Sequence, residues 1–587
     1  MLQPRPEHPK PQFQRGQWLN LNGTWDFAFD FGFSGKEKGW HEDPSDLRQG
    51  INVPFCPESK LSGIGYTDFI LAAWYHRSIE VPEDWAGKRV LLHFGAVDYC
   101  CRAWINGQFV GDHVGGSSSF SFDITHALQD GENQLVVNVC DDLRSGKQPA
   151  GKQSKRLHSH GVVYTRTTGI WQTVWLEAVS ERYIESVHIV PNLDDSCFIV
   201  TPTIRNAARG MIFRAVLIDA DEEIASSEIS TSSGTSLTLT IDAPHPWSLS
   251  DPHIYDLRLE LLEEEQVVDS VKSYAGLRKF HIEGNKFFLN NEPVFLRFVL
   301  DQGFYPDGIW TAPSDAELKA DIERSKAVGF NGARLHQKVF EERFHYWADR
   351  LGYLTWAEFC DWGMDFGRPE AIHNHQREWR EVVMRDRNHP SIVAWTPFNE
   401  TAGAARSHSE THRQTLQEVY ELTRALDPTR PINDASGYVH VHTDIFSVHD
   451  YDQNPQSFRE RYIRLDPQKP EQAFVCHSDL SSPYEGQPYV VDEYGGTFWT
   501  AEYTNQLERG DDREQWGYGK TPKQVEDLIE ELTRIILQNP NTAGFTYTQL
   551  TDIEQEVNGV YTYDRKLKFD AERLRNAFTA VAAIEVS

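Results

Sequence analysis

From Gly276 to the end of the chain, segments with helix periodicity alternate with short apolar strands. The segment PSDAELKADIERSKAVG (313–329) has the pattern of a helix, and the strand NGARLHQ (331–337) follows it. Similar pairs continue through EWREVVMRDRNHP and SIVAWTPFNE to AGFTYTQLTD at 543–552. This alternation is the signature of parallel strands joined by helices. We therefore predict a (β/α)8 TIM barrel as the catalytic domain over residues 276–587.

The residues before the barrel have a different pattern. Residues 1–180 contain β-rich runs such as KRVLLHFGAV (88–97) and NQLVVNV (133–139), with no convincing amphipathic helix. They predict an all-β, jelly-roll sandwich. Residues 181–275 continue with about seven strand-like runs at regular spacing, which is typical of an immunoglobulin-like β-sandwich. A chain of 587 residues is too long for one core, so this multidomain organisation is expected.

Charge and cysteine content exclude several classes of partner. The chain has 57 Lys and Arg against 87 Asp and Glu, a net charge of −30, which disfavours nucleic acid and anionic membranes. No apolar run approaches the length of a membrane span, and the N-terminus has no apolar signal segment. Seven cysteines without a CxxC motif indicate free thiols. We expect a cytoplasmic protein; the sequence does not define whether it forms a homo-oligomer.

Ionisable and polar residues recur where the predicted barrel strands end, which is where TIM barrels carry their active sites. Glu400 ends the strand counted as the fourth, and Glu493 ends the seventh. Their separation of 93 residues corresponds to 31 residues for each of three strand–helix units. The other candidates at strand ends are Asp301, Arg334, His336, Asn399, His449, Tyr451 and Tyr547.

Two carboxylates facing each other across a barrel mouth are suited to glycoside hydrolysis. One carboxylic acid protonates the leaving oxygen, and the other carboxylate attacks the anomeric carbon or activates water. The alternative for any single carboxylate is a helix cap or an ion pair with arginine. The presence of both Glu400 and Glu493, each after a strand, favours the catalytic interpretation.

The segments around these residues resemble a known family. RDRNHPSIVAWTPFNE (385–400) is similar to the acid/base signature of glycoside hydrolase family 2, the β-galactosidase and β-glucuronidase family, and VVDEYGG (490–496) is similar to its nucleophile segment. YTRTTGIWQTVWLE (164–177) resembles part of the family's N-terminal sugar-binding-like sandwich. The resemblance covers nearly the whole chain.

The resemblance implies a retaining exo-glycosidase that works by double displacement through a covalent glycosyl-enzyme. By position, Glu400 would be the acid/base and Glu493 the nucleophile. Asn399 would bond the sugar 2-hydroxyl, and Tyr451 would hydrogen-bond the nucleophile. The remaining strand-end residues are expected to contact substrate or orient Glu493: Asp301, Arg334, His336, His449 and Tyr547.

The sequence departs from the family where the sugar is selected. The galactosidase and glucuronidase branches carry an Asp where this chain has Val163, and a Trp where it has Tyr547. Glucuronidases hold the sugar carboxylate with an Asn-x-Lys pair, and the aligned residues here are Glu556 and Asn558. An acidic residue at that place would repel a uronate. We therefore expect a neutral sugar, with an activity most like that of a β-galactosidase.

Other interpretations stay open. A furanosidase, such as a β-galactofuranosidase or an α-L-arabinofuranosidase, fits the same catalytic residues. So does a transglycosylase, and a non-catalytic carbohydrate-binding protein could use the same scaffold. The substrate in each case is an oligosaccharide or glycoside. WAEFCDWG (356–363) lacks the Glu-x-His spacing of the family's metal ligands, so no metal and no cofactor are expected.

Overall fold

The computed structural model describes residues 3–232, 234–500 and 521–586. It confirms the predicted fold class, because an all-β sandwich, an immunoglobulin-like sandwich and a TIM barrel follow one another along the chain. Among the described residues, no helix combines the length and the apolar character needed to cross a membrane.

Two sheets form the N-terminal sandwich. Its strands are β1 (Trp18–Asn20), β2 (Gly23–Phe29), β3 (Gln49–Val53), β4 (Ala72–Glu80), β5 (Arg89–Phe94), β6 (Val97–Asp98), β7 (Cys100–Ile105), β8 (Gln108–Val114), β9 (Phe120–Asp123), β10 (Glu132–Cys140), β11 (Gly169–Ile170) and β12 (Val174–Val179). One sheet has the order β3-β2-β4-β10-β7-β8 and the other β1-β12-β5-β9. Buried Phe27, Tyr75, Leu92 and Val137 belong to the apolar core of this sandwich.

A smaller sandwich follows. Its strands are β13 (Tyr183–Asn192), β14 (Cys197–Arg205), β15 (Ile212–Asp219), β16 (Glu222–Ser230), β17 (Leu237–Thr240), β18 (Tyr255–Glu263) and β19 (Gln266–Ala275). Their sheets have the orders β13-β14-β17 and β16-β15-β18-β19. Alternate apolar residues such as Leu257, Leu259 and Leu261 of β18 lie in the core, as the period of two along a strand requires.

The barrel begins after a small antiparallel sheet of β20 (Phe280–Glu283), β21 (Lys286–Leu289) and β22 (Glu292–Val294). Its strands are β23 (Leu296–Asp301), β24 (Gly332–Leu335), β25 (Leu354–Glu358), β26 (Ile392–Thr396), β27 (Phe446–Asp450), β28 (Tyr489–Gly495) and β29 (Thr542–Thr548). The helices are α1 (Asp315–Ala327), α2 (Glu342–Leu351), α3 (Pro369–Asp386), α4 (Ala402–Ser407), α5 (Ser409–Leu426), α6 (Pro455–Tyr462), α7 (Pro522–Gln538), α8 (Ala571–Phe578) and α9 (Ala583–Val586).

The parallel barrel strands have the order β26-β25-β24-β23-β29-β28-β27. Residues 431–436 lie between β26 and β27 in sequence and pair with the end of β26 through isolated bridges, Trp395 to Ile432 and Asn399 to Ser436. They occupy the fifth strand position, so β28 is the seventh strand and β26 the fourth, as the spacing of the two glutamates predicts.

Segment 150–164 of the N-terminal sandwich reaches the barrel mouth. The backbone N–H groups of Ala150 and Gly151 donate to the carbonyl oxygen of Trp362, at 2.7 and 3.1 Å. Tyr164 lies in the same segment, paired with Gln153. The N-terminal sandwich therefore supplies part of the wall above the barrel strands.

Candidate active site

The carboxyl ends of the barrel strands bring seven of the nine predicted site residues into one cluster. Direct contacts link them: Arg334, His336, Asn399, Glu400, His449, Tyr451 and Glu493. Their roles stay predictions, but their position at one end of a rigid barrel is what catalysis in this fold requires.

Glu493 is a buried carboxylate with two strong donors. Arg334 Nη2 donates to Oε1 at 2.8 Å, and the Tyr451 hydroxyl donates to Oε2. Burial opposes ionisation, but the positive charges of His449 and Arg334 outweigh it and lower the pKa of Glu493 to about 2. The side chain is therefore an ionised, oriented carboxylate, the form that a nucleophile needs.

Arg334, on β24, organises the floor of the site. Its side chain is fully buried, and its Nε donates to Glu358 Oε2 at 2.7 Å. Its two terminal nitrogens donate to the Asp492 carbonyl oxygen at 2.9 Å, to Asn399 Oδ1 at 3.0 Å and to Glu493. Burial disfavours the cation, but Glu358, Glu493 and Asp492 outweigh burial and raise the pKa of Arg334. A permanent positive charge thus lies behind the nucleophile candidate.

Glu400 is more open than Glu493, with a side chain 16% exposed against 6%. Its backbone φ of 52° is in the left-handed region, which is uncommon for a residue other than glycine and clusters at functional sites. One carboxylate oxygen of Glu400 and one of Glu493 lie within 4.8 Å of each other. The two carboxylates therefore face a common space.

His449 lies between Glu400 and Asp492. Its Nδ1 lies 2.7 Å from Glu400 Oε1, and its Nε2 lies 2.9 Å from Ser436 Oγ and 3.4 Å from Asp492 Oδ1. Burial lowers the pKa of His449, but Glu493, Asp492 and Glu400 outweigh it, so that the pKa is raised. The imidazolium form can donate to Glu400 from one nitrogen and towards Asp492 from the other.

Only one of the two polar atoms of the Asn399 side-chain amide has a hydrogen-bond partner among the described residues. Its Oδ1 accepts from Arg334, whereas the buried Nδ2 finds no acceptor among the described residues. Its backbone is fixed by two contacts: the N–H donates to Asp361 Oδ1 at 3.1 Å, and the carbonyl accepts from Trp362 Nε1 at 3.2 Å. A buried, unused N–H beside the two glutamates can bind a substrate oxygen without any rearrangement.

Glu400, His449 and Glu493 also place ligand atoms within 4.8 Å of one another, a separation that a metal ion could bridge. The raised pKa of His449 favours its protonated ring, which has no lone pair for a metal. Nδ1 of His449 already contacts Glu400 directly. The arrangement suits hydrogen bonding better than metal binding, and the absence of a metal stays a prediction.

Two predicted residues, Asp301 and Tyr547, lie elsewhere. Successive side chains along a strand point to opposite faces. Arg334 faces the site, and its partner on the neighbouring strand is Leu300. Asp301 therefore points to the opposite face. Asp301 instead accepts from the Gly303 N–H; burial and the charge of Asp321 on α1 raise its pKa to about 6. Its expected contact with substrate is therefore wrong.

Tyr547 is fully buried and belongs to the core between the barrel and its helices, with its ring 5.5 Å from that of Phe578 on α8. Thr548, one residue later, faces the site, where its Oγ1 accepts from the Tyr451 hydroxyl at 3.2 Å. The predicted contact of Tyr547 with the sugar is thus also wrong. The residue of β29 that faces the site is the next one, Thr548.

Five buried side chains form a closed hydrogen-bonded ring at the ends of β23 and β29, named here the five-residue ring. Asn558 Nδ2 donates to Glu556 Oε1 at 2.9 Å, and the Tyr164 hydroxyl donates to Glu556 Oε2. Gln549 Nε2 donates to Asn558 Oδ1 at 2.7 Å. Gln302 Nε2 closes the ring through Gln549 Oε1 at 2.6 Å and the Tyr164 oxygen at 2.9 Å. The ring contains one acidic group and no cation.

Sequence patterns missed several residues of this site. Ser436 is the last residue of the fifth strand position, which is too irregular to recognise as a strand. Tyr164 comes from the N-terminal sandwich, where no barrel pattern applies. Thr548 could have been found from the alternation of β29, since Thr546 and Thr548 share one face and Tyr547 the other.

Comparisons with known proteins cover the whole architecture. Residues 66–176 match the glycosyl hydrolases family 2 sugar binding domain, and residues 182–278 match the glycosyl hydrolases family 2 model. Residues 280–583, more than half of the chain, match the glycosyl hydrolases family 2 TIM barrel domain.

Related proteins carry two activity names. A β-galactosidase from Thermoanaerobacter pseudethanolicus is 27% identical over 463 residues, which are 75% of this chain and 56% of that protein. The chain therefore spans about half the length of this relative. A β-glucuronidase from Paenibacillus borealis is 25% identical over 440 residues, 70% of this chain and 72% of that protein.

A solved structure has the same fold. The β-glucuronidase from Ruminococcus gnavus, in complex with an N1-substituted uronic isofagomine, superposes with a TM-score of 0.81 at 20% identity, covering 98% of this chain and 100% of that one. The structure shows the shared fold, and the three family models establish that the chain belongs to glycosyl hydrolases family 2.

Proposed function

We propose that the protein is a retaining exo-β-glycosidase. The observation that carries this proposal is the separation of the two carboxylates, whose nearest oxygens lie within 4.8 Å. Retaining enzymes hold the two carboxyl groups about 5–5.5 Å apart, whereas inverting enzymes need about 6.5–9.5 Å for an intervening water. The space between Glu400 and Glu493 suits direct attack by one of them.

The first chemical step divides the work between the two glutamates. Glu493, ionised because His449 and Arg334 lower its pKa to about 2, attacks the anomeric carbon. The bond from this carbon to the leaving oxygen breaks, and Glu400 transfers its proton to that oxygen. The products of the step are the aglycone alcohol and a glycosyl ester of Glu493.

The second step reverses the roles. Glu400, now a carboxylate, removes a proton from water as the water oxygen bonds to the anomeric carbon, and the bond to Glu493 breaks. The Nδ2 of Asn399, which is without an acceptor among the described residues, would donate to the sugar 2-hydroxyl. That hydrogen bond would strengthen as the ring becomes positively charged in the transition state.

Two sugar classes compete for this site. A β-D-glucuronide is favoured by the names of the Paenibacillus and Ruminococcus relatives. A neutral sugar, the class predicted from the sequence, is favoured by the five-residue ring, because Glu556 and Asn558 stand where the resemblance expects an amide and a lysine. The Thermoanaerobacter β-galactosidase is a neutral-sugar relative, whereas none of these relatives is named as a furanosidase.

The experiment begins with a panel of nitrophenyl glycosides that includes matched β-D-glucuronide, β-D-glucoside and β-D-galactoside, and furanosides. Glu493→Ala should abolish turnover, and added azide should give a glycosyl azide of inverted configuration. In Glu400→Ala, the azide product should keep the configuration of the substrate. Swapped products would mean that the two roles are reversed, and no nitrophenol from any glycoside would favour a non-catalytic carbohydrate-binding protein.

A transglycosylase shares the covalent intermediate and therefore the azide results. A hydrolase and a transglycosylase are distinguished by the product that contains the sugar when an alcohol or disaccharide acceptor is added. A hydrolase should release free sugar as the main product at millimolar acceptor, whereas a transglycosylase should form mainly the new glycoside.

A further inference from the structure

Lys152 brings a positive charge to the site from the N-terminal sandwich. Its side chain is buried, 6% exposed, and its Nζ lies 4.7 Å above the centre of the Trp362 ring. Within residues 3–232, 234–500 and 521–586, its ammonium has neither a hydrogen-bond acceptor nor a carboxylate partner. The Lys152 Nζ is not among the buried polar atoms that lack a hydrogen-bond partner, so the ammonium reaches solvent and can donate to a ligand.

The backbone around Lys152 is fixed on both sides. Gly151 has φ 59°, and a Cβ at this residue would lie 2.3 Å from the carbonyl oxygen of Gln337. Gln153 Nε2 donates to Asp98 Oδ2 at 2.8 Å, and its Oε1 accepts from a backbone N–H at 2.8 Å. The glycine therefore permits a close approach to the barrel, and Lys152 is held at a defined place above it.

That place is beside the catalytic centre. The Lys152 ammonium lies over the face of the Trp362 ring, and Trp362 Nε1 donates to the carbonyl oxygen of Asn399. Burial and the charge of Lys152 lower the pKa of His336, and the same charge contributes to the lowered pKa of Glu493. Lys152 thus lies over Trp362, which follows β25, and its charge acts on His336 and Glu493.

We propose that Lys152 is a substrate-binding residue that donates to the 3-hydroxyl of the terminal sugar. The inference rests on the proposed function. If Asn399 Nδ2 takes the 2-hydroxyl, the next hydroxyl around the ring comes towards the ammonium on the Trp362 face. A carboxylate on C5 would be across the ring from C2, and we assign it no contact with Lys152. The substrate that the proposed contact requires is a sugar with a free 3-hydroxyl.

The test compares two substrates in three proteins. The substrates are the nitrophenyl glycoside that the enzyme hydrolyses fastest and its 3-deoxy counterpart. The proteins are the wild type, Lys152→Met, which keeps the length of the side chain without its charge, and Lys152→Arg. Thermal unfolding of each variant provides the check on folding.

A charge-assisted hydrogen bond to the 3-hydroxyl corresponds to about 10- to 100-fold in kcat/KM. The wild type should lose this factor on the 3-deoxy substrate, and Lys152→Met should lose it on the parent. Lys152→Met should lose little more, less than about 3-fold, on the 3-deoxy substrate, because the partner is already missing. Lys152→Arg should recover part of the parent activity.

Equal losses on both substrates in Lys152→Met would assign Lys152 a structural role and overturn the proposal. When the variants are also measured on the nitrophenyl glycoside panel, a loss confined to the β-D-glucuronide would assign Lys152 to the sugar carboxylate and would also overturn the proposal. Either result leaves the retaining glycosidase standing, since wild-type turnover is unaffected. A wild type that hydrolyses no glycoside would instead overturn the proposed function itself.

Discussion

The candidate site has two parts with different origins. The part proposed to perform the chemistry, called here the catalytic part, consists of Arg334, Glu400, His449 and Glu493, all on or shortly after barrel strands. The part proposed to choose the sugar, called here the sugar-selecting part, comprises the five-residue ring and Lys152, and it draws on the N-terminal sandwich and on the chain after β29. The catalytic part matches the family pattern, whereas the sugar-selecting part departs from it.

This difference follows from what each part has to do. In the proposed mechanism the two glutamates would perform the same chemistry on any β-glycoside, so the barrel alone can set their geometry. Sugar selection depends on which donors and acceptors surround the other ring hydroxyls, and those come from loops that can change without disturbing the barrel. We therefore expect reaction type and substrate choice to be separable in this molecule, so that variants in the two parts show different kinetic defects.

The largest effect is expected in the catalytic part. Glu493→Gln removes the nucleophile, so kcat should fall by on the order of 10⁴- to 10⁶-fold, and it should fall alike on every glycoside. Steady-state kinetics on the panel measure this. Glu418→Gln, on the exposed face of α5, is the matched control and should keep wild-type kcat. A residual activity that differed strongly between sugars would contradict the separation of the two parts.

The Arg334→Met variant should weaken both catalysis and stability. Breaking a buried charge pair costs about 3–5 kcal/mol of unfolding free energy, which chemical denaturation measures. Glu493 has its pKa at about 2 instead of 4.5, so its ionised form contributes stability that is present above pH 4.5 and is lost as pH falls towards 2.

Without Arg334, the pKa of Glu493 should rise, and the acid limb of the kcat/KM profile should move to higher pH. The pH profiles of wild type and variant on one glycoside provide the measurement. An acid limb at the same pH in both proteins would mean that Arg334 does not control the ionisation of Glu493.

A change in the sugar-selecting part should alter preference. The Glu556→Asn/Asn558→Lys double variant introduces the amide and lysine that the resemblance associates with uronate binding. We expect the ratio of kcat/KM on β-D-glucuronide to that on β-D-glucoside to rise about 10- to 100-fold. Glu556→Gln alone, which removes the negative charge without adding a positive one, is the control and should give a smaller rise. An unchanged ratio in the double variant would place these residues outside the sugar site.

The smallest effect is expected for Tyr547→Phe, which forms a matched pair with Tyr451→Phe. Tyr451→Phe removes a hydroxyl that donates to Glu493, and kcat/KM should fall by about 10- to 100-fold. Tyr547→Phe removes a hydroxyl that has no partner among the described residues, and kcat/KM should stay within about 2-fold of wild type. Equal losses in the two variants would contradict the assignment of Tyr547 to the core.

Sequence patterns predicted the catalytic part because each residue closes a recognisable strand. Asn399 and Glu400 end one such strand, and Glu493 another, so the barrel geometry brings them together. The errors at Asp301 and Tyr547 came from the alternation of side chains, because a shift of one residue along a strand turns a side chain to the opposite face.

The sugar-selecting part was harder to predict, since it depends on contacts between segments far apart in the sequence. Tyr164 and Glu556 are separated by 392 positions, and no local pattern connects them. Departures from the family marked Glu556 and Asn558 as unusual, but the closure of the five-residue ring and the position of Lys152 required the packing of the N-terminal sandwich onto the barrel.

The central claim is double displacement through Glu493, and the stereochemistry of the first product tests it most directly. Proton NMR can follow the anomeric signal of the sugar released from the best β-glycoside, in the minutes before mutarotation. The account predicts that the β-anomer accumulates first and then equilibrates with the α-anomer. First appearance of the α-anomer would contradict it, because a single displacement by water inverts the anomeric carbon.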